Sequence, residues 1–204
     1  MKQPIVPYRK ARSQLCTLTA INCIPDGLFW SRIGHTAFIY VDSLTGQVML
    51  VESTTLNKNT GLSGVQMMPF GQWLARYPGK VYARVPKFGD SSEGANAARE
   101  MMVAEFIKEH LGTSYPDLKT WSGRLKLAFS ALDFKLCGID MITYKGDDDG
   151  IFCTMLFIMV LQYCDLYQKD LPAREHEPDD IRGNAEKFER RLQDMMYLPE
   201  IRLK

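Results

Sequence analysis

Hydrophobic and polar positions change period several times along the chain, and each change marks an element. Residues 34–41 and 48–53 are β-rich runs separated by Asp42-Ser43-Leu44-Thr45-Gly46-Gln47, which predicts a hairpin with a four-residue loop ending in glycine. Both faces of both runs are largely apolar, so the hairpin is expected near the middle of a sheet rather than at its edge. Residues 15–24 predict an earlier strand closed by the turn-forming Pro25-Asp26-Gly27, and residues 80–85 a later one, preceded by a short amphipathic stretch over 70–77. Over 95–111 the apolar Met102, Val103, Phe106, Ile107 and Leu111 fall at helical spacing, and Gly112 stops the helix. A further helix is expected over 118–136, weakened by Gly123. A nearly all-apolar helix is expected from about 152 to 167, after a loop over 138–150 that ends in Asp147-Asp148-Asp149-Gly150. Beyond Pro172 the chain is charged, with a last helical segment at roughly 184–196. This order predicts an α+β fold, an antiparallel sheet packed by helices in one domain over 1–204. A helical insertion is expected around 94–136 and a charged C-terminal tail from about 172.

Composition narrows the function classes. The 204 residues suffice for one core without staples, and 46% hydrophobic with 24% charged residues excludes wholesale disorder and fibrous classes. With 25 basic against 24 acidic residues there is no net field to attract nucleic acid or an anionic membrane, and no nucleic-acid partner is expected. The most apolar run, 151–164, is shorter than the roughly 18 to 20 residues that span a bilayer, so no transmembrane segment is expected. The first 23 residues imitate a signal peptide, with Lys2, Arg9, Lys10 and Arg12 before an apolar stretch. That stretch carries Thr17, Thr19 and Asn22, and no small-x-small site precedes Pro25. A cytoplasmic location is therefore expected, secretion by a non-classical route being the alternative. Five cysteines is an odd count, so a monomer keeps at least one free thiol.

Three polar residues each interrupt an apolar element: His35, Glu52 and Cys153. If Asp42 and Gln47 pair across the loop, Ala37 faces Glu52, and period-two alternation puts His35 on the face of Glu52 as a diagonal neighbour roughly 7 to 8 Å away at the backbone. Cys153 is expected in the first turn of the apolar helix, where unpaired backbone amides and the helix dipole lower a thiol's pKa. Thiolate, imidazole and carboxylate together suit acyl transfer, with His35 as base and then acid and Glu52 fixing its tautomer. The helix-terminal amides, that of Cys153 included, would form part of an oxyanion hole. Cys16, Cys23, Cys137 and Cys164 read as core thiols, Cys164 lying about 16 Å from Cys153 along the same helix. His110 and His176 read as solvated. The run Asp147 to Asp149 lacks the spacing of an EF-hand, and no spacing supports zinc, so neither metal nor cofactor is expected.

Trp30-Ser31-Arg32-Ile33-Gly34-His35-Thr36-Ala37-Phe38-Ile39-Tyr40-Val41, then Val51-Glu52-Ser53, then Phe152-Cys153-Thr154 on an apolar helix, resembles the circularly permuted NlpC-type papain-like hydrolases, including the YiiX-like branch. In that family the catalytic histidine comes first, a polar third residue follows on the next strand, and the cysteine comes late in a "(Y/F)CSE"-like motif. The resemblance thus implies a permuted papain-like fold with His35, Glu52 and Cys153 as catalytic residues. It extends to residues 64–82 and to Gly112-Thr113-Ser114-Tyr115, similar to the family's "G.pY" turn; Tyr115 is the candidate for substrate contact. Two departures stand out: Thr154 and Met155 replace the family's serine and glutamate, and the loop before Cys153 is acidic. The expected activity is a cysteine hydrolase or acyltransferase on an amide or ester of a small-molecule, peptide or lipid substrate. The alternatives are a non-catalytic binding or regulatory module on the same fold, and a cell-wall peptide amidase delivered by a non-classical route.

Overall fold

A computed structural model describes residues 4–25, 34–54, 63–115, 150–170, 172–176, 181 and 186–204. The expected helix over 118–136, the loop over 138–149 with its three aspartates, Cys137, and the Asp26-Gly27 turn lie outside these residues.

The fold is α+β, with an antiparallel six-stranded sheet packed by helices on both faces. Its strands are β1 (Ala20–Pro25), β2 (His35–Val41), β3 (Val48–Thr54), β4 (Gly64–Pro69), β5 (Gly79–Arg84) and, near the C-terminus, β8 (Ile201–Arg202), in the order β4-β3-β2-β1-β5-β8. The predicted hairpin is β2–β3, two interior strands. Phe38 pairs with Val51 and Val41 with Val48, the register that follows when Asp42 and Gln47 close the loop. The Asp42 amide indeed donates to the Gln47 carbonyl at 3.0 Å, and Gly46 takes the left-handed conformation the turn requires, with φ 64°.

The apolar character of both strand faces has a direct cause, since one core lies on each side of the sheet. On one side Ala20, Phe38, Val51 and Val65 meet α3 (Glu93–His110) and α4 (Cys153–Tyr163) through Val103, Phe106, Leu156, Phe157 and Val160. On the other, Ile21, Ala37, Ile39, Leu50 and Val81 meet α2 (Phe70–Arg76) through Phe70, Trp73 and Leu74, with Ala11 of α1 (Tyr8–Ala11). Ser92 caps α3 by accepting the Ala95 amide. No helix among the described residues is long and apolar enough to cross a membrane.

Three expectations are corrected by tertiary structure. The first strand begins at Ala20 rather than residue 15, because residues 16–19 form a turn in which Leu18 is left-handed at φ 69°. The apolar helix ends at Tyr163 rather than 167. There Asp165 adopts φ 54°, and the Leu166 amide reaches back to the Leu161 carbonyl at 2.8 Å, the Schellman closure. In the segment expected as a helix over 184–196, the described residues 186–196 are helical only in α5 (Glu186–Glu189). The chain then turns through left-handed Asp194 into β7 (Met195–Tyr197), which pairs with β6 (Pro86–Phe88). Pairing and burial of Tyr197 override helix propensity in this stretch. The charged tail therefore returns to the fold: Ile181, Phe188 and Tyr197 are core, and buried Arg84 bonds the Ile181 carbonyl at 3.1 Å and pairs with Glu189.

Candidate active site

The site forms where the central sheet loses one of its ladders. β1 pairs with β2 as far as Cys23↔His35, and β3 with β4 as far as Thr54↔Gly64, yet the β2–β3 ladder stops at Phe38↔Val51. The strand ends 35–37 and 52–54 thus continue side by side without pairing to each other, and the amino end of α4 sits in the opening. Ser53 Oγ donates to the carbonyl of Ile151, just before that helix, and the amide of Thr36 points at the sulfur of Cys153. An edge amide freed from the ladder thereby gains a new acceptor.

His35 and Glu52 span the opening. His35 Nε2 lies 2.8 Å from Glu52 Oε2, with Glu52 only 3% exposed and His35 half-buried. Alternation within a correctly registered hairpin produces this contact. With Nε2 engaged by the carboxylate, Nδ1 is the ring nitrogen left for Cys153, whose sulfur pairs with the imidazole. Cys153 occupies the first turn of α4, its sulfur 3.8 Å from Thr154 Oγ1. No side chain caps this helix end, and the bond from the Leu156 amide to the Phe152 carbonyl at 2.9 Å closes its first turn. The amides ahead of Leu156 are thus oriented toward the helix start, as an oxyanion site requires.

The charges follow from this packing. Burial alone would raise the Cys153 thiol, but the His35 imidazole, the Thr36 amide and the Thr154 hydroxyl outweigh it and hold the thiol below its ordinary value. Burial alone would lower His35, and the Cys153 sulfur together with Glu52 outweighs it, pushing the imidazole up to about 10. The two shifts share a cause: the sulfur and the imidazole each favour the charged form of the other, and Glu52 backs the imidazole. Cys23, on β1 directly opposite His35, shows the opposite behaviour: burial pushes its thiol well up, and the negative charge of Glu52 adds to that.

The approach to Cys153 is built by the turn after α3. Gly112 at φ 86° ends that helix, the Val65 amide donates to the Thr113 carbonyl at 2.8 Å, and the Ile151 amide to the Ser114 carbonyl at 3.1 Å. A Cβ at Gly64 would lie 2.2 Å from the Thr113 oxygen, so only glycine permits this close approach. Tyr115 follows at once, its ring edge-on to Phe152 at 5.6 Å, one residue before the sulfur.

The fold therefore brings His35, Glu52, Cys153 and Tyr115 to one end of the sheet. Cys164 and Cys16 are free thiols elsewhere in the packing, and Cys23 is a free thiol opposite His35. His110 is not simply solvated, for its ring stacks on Phe106 at 4.1 Å and its Nδ1 bonds the Phe106 carbonyl. His176 lies edge-on to Tyr167. Among the described residues no group of three or more His, Cys, Asp and Glu side chains is placed to hold a metal ion. One residue at the site escaped the sequence reading. Gln66, opposite Glu52 on β4 and 5% exposed, has its Nε2 3.3 Å from Glu52 Oε1. Its only sequence signal is a polar side chain in an apolar run, in a strand with a single β-branched residue and a proline at its end. No protein-family model and no curated protein sequence matches the chain.

Proposed function

We propose that the protein is a thiol-dependent hydrolase or acyltransferase acting on an amide or ester bond, with Cys153 as nucleophile, His35 as acid and base, and Glu52 orienting His35. The observation that carries this reading is the placement of Cys153 at the start of α4 beside His35, whose Nε2 lies 2.8 Å from the buried Glu52 carboxylate; the lowered thiol agrees with it. The order of these residues, the antiparallel sheet and the Gly112–Tyr115 turn beside the nucleophile fit a permuted papain-like fold of the NlpC type.

In the reaction the Cys153 thiolate adds to the substrate carbonyl. A C–S bond forms while the carbonyl electron pair moves to oxygen, where the amides of Cys153 and Thr154 receive the charge. Collapse expels the amine or alcohol, which takes the proton from His35. Water, or an acceptor alcohol or amine, then gives its proton to His35 as it attacks the thioester, and the thiolate leaves. Glu52 stabilises the imidazolium in both halves. The imidazolium proton of His35 is lost as pH rises through about 10, so turnover falls there.

The substrate is sought by labelling with thiol-directed acylating probes, followed by a screen of acyl amides, acyl esters and muropeptides. A covalent acyl adduct on Cys153 and turnover of one class support the reading. Failure of every class to acylate Cys153 favours a binding module instead.

A further inference from the structure

We propose that Gln66 is a positioning residue of this site, a fourth member that holds the Glu52 carboxylate in the orientation that engages His35. The inference rests on the function proposed above. Glu52 lies in the stretch of β3 that has lost its β2 ladder, so backbone pairing on that side no longer fixes its direction. On the other side the β3–β4 ladder is intact and sets Gln66 directly opposite Glu52. From there Gln66 Nε2–H donates to Oε1 while Oε2 receives His35 Nε2, so the two carboxylate oxygens are held from opposite directions. A carboxylate 3% exposed that lost one of these donors would have a strong incentive to rotate toward another. Rotation would take Oε2 away from the imidazole. The amide is also the right group for the task, since it donates without adding a charge that would compete with the imidazolium.

Among the described residues, the titratable groups bearing on the His35–Cys153 pair are Glu52 from β3 and Cys23 from β1, while β4 contributes the uncharged Gln66. α4 carries no Asp, Glu, Lys or Arg between Cys153 and Tyr163. Loss of the Gln66 donor should therefore be read at His35 through Glu52.

The test is an NMR titration of the His35 ring in the full chain, comparing the parent, Gln66→Met, Glu52→Gln and the double variant. Alkylation of Cys153 by iodoacetamide is measured alongside. Gln66→Met should lower the His35 midpoint by about 0.5 to 1 pH unit and slow neutral-pH alkylation about 3- to 10-fold, with a larger drop in Glu52→Gln. In the Glu52→Gln background the methionine should add less than about twofold, because the route through Glu52 is already cut. An unchanged His35 midpoint in Gln66→Met, or an undiminished effect in the double variant, overturns the proposal. Should Gln66→Met fail to fold, Gln66→Asn keeps the amide but shortens it by one methylene. It should lower the midpoint less than Glu52→Gln does, and no change would again overturn the role. A parent Cys153 that alkylates no faster than Cys164 contradicts the hydrolase reading, whereas the titration still decides whether Gln66 holds Glu52.

Discussion

The two ends of α4 place the same side chain in opposite chemical situations. Cys153 opens the helix and Cys164 follows its last turn, and both are buried. Burial raises both thiols, and at Cys164 it prevails: with the carboxylate of Asp165 adjoining, that thiol is pushed up to about 12, Arg99 offsetting little. At Cys153 the same burial is overcome by His35, the Thr36 amide and Thr154. The helix dipole acts in the same sense, favouring negative charge at the start and opposing it at the end. Burial of a cysteine in an apolar helix therefore says nothing about reactivity; what decides is which donors the surrounding backbone and side chains turn toward the sulfur. At the start, a sheet ladder left unfinished supplies them. At the end, a Schellman closure already uses the local amides.

The largest expected difference between the two ends is in turnover. Cys153→Ala should abolish it, a loss of at least about 10⁴-fold, whereas Cys164→Ala should stay within about twofold of the parent. Assay of both variants on whichever acyl substrate the screen identifies checks this, and retained activity in Cys153→Ala would refute the nucleophile.

Next come the groups that distinguish the two sulfurs. His35→Ala should remove the preference of Cys153 over Cys164 for iodoacetamide at neutral pH. Glu52→Gln should lower kcat by about 10²-fold while leaving measurable turnover, since it weakens orientation rather than removing the proton carrier. Full activity in either variant would show that the imidazole–carboxylate contact is incidental.

Much of this contrast was legible in the sequence, and the reasons are particular. Asp42 and Gly46 pin a tight loop, the loop pins the register, and the register puts His35 diagonal to Glu52. Cys153 was legible because a long apolar run has a definite start. The unfinished β2–β3 ladder was not legible, since a ladder ends where another element intrudes, and that is a long-range event. Gln66 was missed for the same reason: β4 holds few β-branched residues, ends in Pro69, and acquires its register only by pairing with β3. The C-terminal strands are two or three residues long, below any period, and exist because β5 and β6 offer them partners. An apolar pattern continuing past Tyr163 likewise concealed the left-handed Asp165.

That residue provides the smallest test. Asp165→Gly suits the left-handed position and removes only an exposed pair with Lys169, so stability should change by less than about 1 kcal/mol in thermal unfolding. It also removes the negative charge beside Cys164, so the Cys164 alkylation midpoint should fall while that of Cys153 stays fixed. A shift at Cys153 instead would mean that the two ends are not independent.

The most direct test of the central claim is site-resolved iodoacetamide alkylation of the parent chain across pH, followed by mass spectrometry. Cys153 should react rapidly near neutral pH, its rate falling only as acid protonates a thiol held below the ordinary value of 9.0, while Cys23 and Cys164, both raised, react slowly until far more alkaline pH. Equal rates at all three sulfurs, or a Cys153 midpoint at or above 9.0, would contradict the thiolate–imidazolium pair and the chemistry built on it.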